Sequence, residues 1–145
     1  MNLSPHFTLA EFVESQTATR KGIDNTPTPS VITSLARVAA VLEQVRALVG
    51  GPITVSSGYR CAALNKAVGG AANSAHLLGL AADITAPGMT PQALAKMIQR
   101  AGIAYDQLIY EGTWVHIGLA SGAPRRQVLT ATFVGGKASY AVGIA

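Results

Sequence analysis

From Gly51 to Ala145 the only acidic residues are Asp83, Asp106 and Glu111, and the only histidines are His76 and His116. His76 stands seven residues before Asp83, and His116 lies among strand formers in Trp114-Val115-His116-Ile117-Gly118. Two imidazoles and one carboxylate form a ligand set that leaves a coordination position open, as a catalytic zinc requires. Such an ion lowers the pKa of a bound water to about 7, so hydroxide becomes available as a nucleophile. Each residue also has an ordinary reading. His76 and Asp83 could simply be hydrogen-bonded to each other, His116 could be a half-exposed strand residue, and Glu111 could be a solvated turn glutamate.

Hydrolysis also needs a base that takes the water's proton and returns it to the leaving amine. If Gly112-Thr113 is a two-residue hairpin turn, Glu111 pairs with Trp114 and Ile109 with His116. Alternation then sets Gln107, Ile109, Glu111, Trp114 and His116 on one face, with Glu111 diagonal to His116 and Asp106 on the opposite face. Glu111 is the expected base and Asp106 the second choice. Ser56-Ser57-Gly58-Tyr59-Arg60 ends a strand in a turn. Arg60 there could hold a substrate carboxylate bidentately or stabilise an oxyanion, or be an ordinary surface arginine. Cys61 has no basic partner at a defining spacing, and His6, just before a helix cap, reads as structural.

The elements that must position these groups follow from local signals. Thr8 and Glu11 have capping-box spacing, and Phe7 and Phe12 sit at the staple positions, which predicts a helix over 8–20 ending near Gly22. Residues 24–29 are a loop. Ile32, Leu35, Val38, Leu42, Val45 and Val49 recur at helical spacing before Gly50-Gly51. The period then changes. Ile53 to Ser57 alternates as a strand, a short helix spans about 62–68, and Ala81 to Ala86 forms a strand carrying Asp83. Thr90-Pro91 opens another helix, which Gly102 ends. Gln107–Glu111 and Trp114–Ala120 form the hairpin, and Gln127–Phe133 is a further strand. Helices first and a mostly antiparallel sheet afterwards make an α+β domain, with the N-terminal helices packed on the sheet. One domain over 1–145 is expected, with its core in 3–120 and a C-terminal β tail over 121–145.

These residues resemble a known family. Ser57-Gly58-Tyr59-Arg60, Val68-Gly69-Gly70, Ser74-x-His76-x-x-Gly79-x-Ala81-x-Asp83 and Trp114-Val115-His116 are similar to the zinc murein peptidases. That family includes the D-Ala-D-Ala carboxypeptidases and the phage L-alanyl-D-glutamate endopeptidases, and its fold is shared with hedgehog signalling domains. The opening Leu3-Ser4-x-His6-Phe7-Thr8-x-x-Glu11-Phe12 also resembles their start, so the likeness runs from residue 3 to about 120. It implies zinc ligands His76, Asp83 and His116, and Arg60 as the arginine that anchors substrate. Many relatives place the catalytic acid three residues before the last histidine, where this chain has Thr113. Glu111, five before it, looks like the substitute of the phage-type branch. Ser74 and Gln107 are expected to line the site.

The resemblance implies an enzyme that cuts a peptide bond in the peptidoglycan stem or cross-link, as an endopeptidase or a carboxypeptidase. The alternative is a virion- or tail-associated structural or binding domain that retains zinc without useful catalysis. Residues 1–50 are charge-neutral, whereas the rest carries the whole formal charge of +4. A basic face suits an anionic polymer, and no helix-turn-helix signature, zinc-finger spacing or aromatic-plus-basic ladder points to nucleic acid. No apolar run is long enough to span a membrane, and a lone cysteine excludes an internal disulfide. MNLSPHFTLAEF has no basic-then-apolar leader pattern. The expectation is therefore a monomer made in the cytoplasm that reaches the wall after release or within a phage particle.

Overall fold

The computed structural model describes residues 1–145. Strands β1 (Asn2–Ser4) and β2 (Phe7–Thr8) form a small antiparallel ribbon that delivers Thr8 as the cap of α1 (Leu9–Val13). The capping box is complete: Thr8 Oγ1 accepts from the Glu11 backbone, and the Glu11 carboxylate accepts from the Thr8 backbone. The Phe7 and Phe12 rings pack 6.1 Å apart as the staple. His6 lies outside the site and, with Ser4, binds the Glu43 carboxylate.

The single helix expected over 8–20 is two helices, α1 and α2 (Gln16–Lys21). Glu14 leaves the helical conformation, and the Ser15 hydroxyl caps the new start by accepting from the Ala18 backbone. Gly22 ends α2 in the left-handed conformation. Helix α3 (Pro29–Val49) begins on a Thr28 cap with proline in its first turn and buries Val31, Leu35, Val38, Ala39, Leu42 and Val45. This stripe starts one residue earlier than the sequence suggests, and Ile32 and Val49 are only partly buried.

The remaining elements are β3 (Thr54–Ser57), α4 (Ala62–Ala67), a 3-10 turn (Ala75–Leu78), β4 (Ala81–Thr85) and α5 (Pro91–Arg100). They are followed by β5 (Gln107–Tyr110), β6 (Val115–Gly118), β7 (Gln127–Val134) and β8 (Lys137–Val142). Six strands form one sheet in the order β3-β4-β6-β5-β7-β8. All neighbours are antiparallel except β5 and β7, which run parallel. The structure is the expected α+β arrangement, and the tail joins the sheet as β7 and β8.

The two faces of this sheet have different tasks. One row of cross-strand partners, Ala82–Ile117–Leu108–Val128, turns toward α3 and α5 and makes the core with Leu35, Leu42, Leu94 and Ile98. Fully burying each leucine or isoleucine among them stabilises the fold by about 1.5–3 kcal/mol. The neighbouring row, Ser57–Asp83–His116–Ile109–Leu129–Val142, turns the other way. Because side chains alternate along each strand, the core-forming rungs fix which rungs must carry the polar site.

Candidate metal centre

Asp83 and His116 are direct cross-strand partners on β4 and β6. His76 comes from the 3-10 turn before β4, whose start is capped by Ser74 Oγ and whose end is Gly79 with φ +70°. A Cβ at Gly79 would lie 2.8 Å from Val31 Cγ1, so the absence of a side chain lets the turn close onto α3. Asp83 Oδ1 lies 3.3 Å from His76 Nε2 and 3.1 Å from His116 Nδ1, and the imidazole centroids are 5.1 Å apart. All three residues are buried.

The donor set suits a metal ion. His76 Nδ1 is 2.6 Å from the Gly58 carbonyl, which can only accept, so Nδ1 carries the proton and Nε2 presents its lone pair to the site. Tetrahedral zinc at ~2.0–2.1 Å from each ligand separates ligand atoms by roughly 3.4 Å. The two Asp83 distances are close to that spacing, and one ligand atom from each residue lies within 4.8 Å of the others. Burial acts to raise the Asp83 carboxyl, but the His116 and His76 contacts outweigh it and hold the group well below the usual carboxylate range. Burial lowers His76, with Asp83 opposing, so its imidazole is neutral at neutral pH. An ionised carboxylate and a neutral imidazole are the states that bind metal.

Arg60, just beyond β3, reaches the same centre, with its guanidinium 3.8 Å from Asp83 Oδ2. It donates to Ser57 Oγ and to Asn65 Oδ1. Burial lowers its pKa, while Asp83 and Glu111 act to keep it charged.

Glu111 lies where the hairpin register placed it. Ile109 pairs with His116, Glu111 N donates to Trp114 O, and Gly112 takes φ +84° at the turn. Trp114 Nε1 donates to Glu111 Oε2 at 3.0 Å. Burial, together with the charge of Asp83, raises the Glu111 carboxyl above its ordinary range. His116, Trp114 and Arg60 partly offset this.

Asp106 differs from expectation. Strand β5 begins only at Gln107, so alternation does not govern Asp106, and its side chain reaches the rim of the same cleft. Arg125 grips it there through two guanidinium nitrogens and its backbone N–H. The hydrogen bonds from Arg125 lower its pKa, with burial opposing. Asp106 thereby anchors the start of β7, whose Gln127 N donates to the Asp106 carbonyl. Ser74 and Gln107 both line the cleft, and Cys61 does not. The whole groove is about 1100 Å³.

Of three supporting residues, Asn65 and Asn25 had no sequence signal, whereas Gly58 belongs to the Ser57-Gly58-Tyr59-Arg60 run. Buried Asn65 accepts from Arg60 and donates to the Ala71 carbonyl. Asn25 donates to the carbonyls of Val13 and Tyr59 and accepts from Cys61 N, tying the loop after α2 to the Arg60 turn. A Cβ at Gly58 would sit 2.5 Å from the Phe12 carbonyl oxygen and 2.8 Å from Phe12 Cα. Gly58→Ala must therefore push the β3 end off α1 and move the carbonyl that orients His76. We expect a 10–100-fold loss of zinc affinity in a competition titration, with a lowered Tm.

A model of the family described as Peptidase M15 matches residues 5–118, and the chain belongs to that family. The protein is therefore a zinc-dependent metallopeptidase, and the His76–Asp83–His116 group is suited to hold a metal ion. No curated protein matches the chain.

Proposed function

We propose that this metallopeptidase hydrolyses a peptide bond in the peptidoglycan stem or cross-link, as an endopeptidase or a D,D-carboxypeptidase. His76 through Nε2, Asp83 and His116 through Nδ1 would hold the zinc. The convergence of these three groups in one cleft with Arg60 and Glu111 is the observation that carries the reading. When bound, zinc supplies a Lewis acid that polarises the scissile carbonyl and acidifies the attacking water.

Glu111 takes the water's proton and delivers it to the leaving amine. Its carboxyl is partly buried and is oriented by the Trp114 Nε1 donor, which sets it for transfer in both directions. Glu111 is preferred to Asp106 because Arg125 already binds both Asp106 oxygens. Arg60, held by Ser57 and Asn65, anchors a substrate carboxylate. The net charge of +4 favours approach to an anionic wall polymer. One chain supplies every group of the site, which supports a monomer as the working unit, and action in lysis or within a phage particle is part of the same proposal.

Purified peptidoglycan digested with the zinc-loaded protein tests this, with products identified by mass spectrometry. New peptide termini at one bond type are expected. Intact peptidoglycan, beside hydrolysis of unrelated peptides, would refute the substrate assignment.

A further inference from the structure

The β7–β8 hairpin lies outside the residues that match the family, yet it extends the face that carries the metal centre. Strand register puts Leu129, Ala131 and Phe133 of β7 on that face, with Val142, Tyr140 and Ala138 as their partners on β8. Phe133 and Tyr140 line the same groove as His76 and Asp83. They are 50% and 55% exposed, so neither is a core residue. Strand β5 pairs β7 only as far as Thr130, so the far half of the hairpin passes beyond Tyr110 and runs alongside the Glu111–Trp114 turn. There Phe133 packs against Trp114 with ring centroids 6.4 Å apart.

The groove is therefore unlike at its two ends. Across the sheet, the Arg60 cation stands beside β3 and β4, the metal centre on β4 and β6, and the aromatic pair on β7 and β8. From β6 to β8 are three strand spacings, about 14 Å. An extended chain advances ~3.3–3.6 Å per residue, so a dipeptide reaches about half that distance and four residues span it. Exposed aromatic surface continuous with a polar site marks a place for ligand rather than for solvent.

We propose that Phe133 and Tyr140 form a substrate subsite. It binds the apolar part of an extended peptide whose carboxylate lies at Arg60 and whose scissile bond lies at the metal centre. The inference rests on the peptidase reading of that centre. It makes the hairpin a device for selecting long peptides over dipeptides.

Calorimetric titration of zinc-loaded Glu111→Gln protein with the murein stem pentapeptide, and with each of its constituent dipeptides, tests the subsite by binding alone. The pentapeptide is expected to bind at least tenfold more tightly than any dipeptide. Phe133→Ala and Tyr140→Ala, each built on Glu111→Gln, should weaken the pentapeptide about tenfold and change dipeptide binding less than twofold. Phe133→Leu and Tyr140→Phe should recover most of the loss. Equal losses for both lengths, unchanged pentapeptide affinity in the alanine variants, or no pentapeptide binding would overturn the proposal. Failure of the peptidase reading has its own signature, the absence of peptidoglycan cleavage by the unaltered zinc-loaded protein.

Discussion

Asp83→Ala is expected to abolish stoichiometric zinc binding and to lower peptidase activity roughly a thousandfold or more. Metal analysis of the purified variant and initial rates on stem peptide measure the two effects. Loss of a supporting residue around a metal costs 10–100-fold, and a direct ligand costs more. Asp83 also supplies the only carboxylate among the three donors, with Oδ1 toward both imidazoles and Oδ2 toward Arg60. Its removal leaves one cation facing two histidines, of which His76 is neutral by burial. The fold should survive, because the Ala82–Ile117–Leu108 rung packs on the helices from the opposite face. A cooperative melt together with full zinc content in Asp83→Ala would remove Asp83 from the ligand set.

Glu111→Gln is expected to lower kcat by 10²–10⁴-fold while zinc content stays unchanged. The glutamine keeps an acceptor for Trp114 Nε1 but cannot take a proton. Glu111 must be ionised to act as base, so activity of the unaltered enzyme rises as pH increases through its pKa and falls as pH drops below it. An acid limb of this kind is the mark of a carboxylate base. The residual rate of Glu111→Gln should lack this limb. Asp106→Asn should instead loosen the Arg125 clamp and lower Tm, with kcat little changed. Full activity in Glu111→Gln with loss in Asp106→Asn would exchange the two roles.

The hairpin side of the candidate centre was legible in the sequence, because local rules act there over a short span. The two-residue turn at Gly112-Thr113 admits one hairpin register, and that register places Ile109 opposite His116 and Glu111 beside Trp114. Asp83 stood out because acids are scarce after residue 50 and it follows His76 by seven residues, and the resemblance implied its role as a ligand. What sequence could not show depends on distant partners. Asn25 binds Cys61 and Tyr59, and Asp106 binds Arg125, across intervals that carry no periodic signal. The break between α1 and α2 was missed because a lone serine cap is a weaker mark than the box at Thr8. The tail was recognisable as strand, but its parallel pairing with β5 put Phe133 and Tyr140 on the groove.

The most direct measurement is the rate of stem-peptide hydrolysis while zinc is titrated into chelator-stripped protein. Activity should be absent without metal, rise linearly and level off at one equivalent, and stay absent in the Asp83→Ala protein under the same titration. Undiminished hydrolysis by the stripped protein, or one bound equivalent with no hydrolysis, would contradict the account.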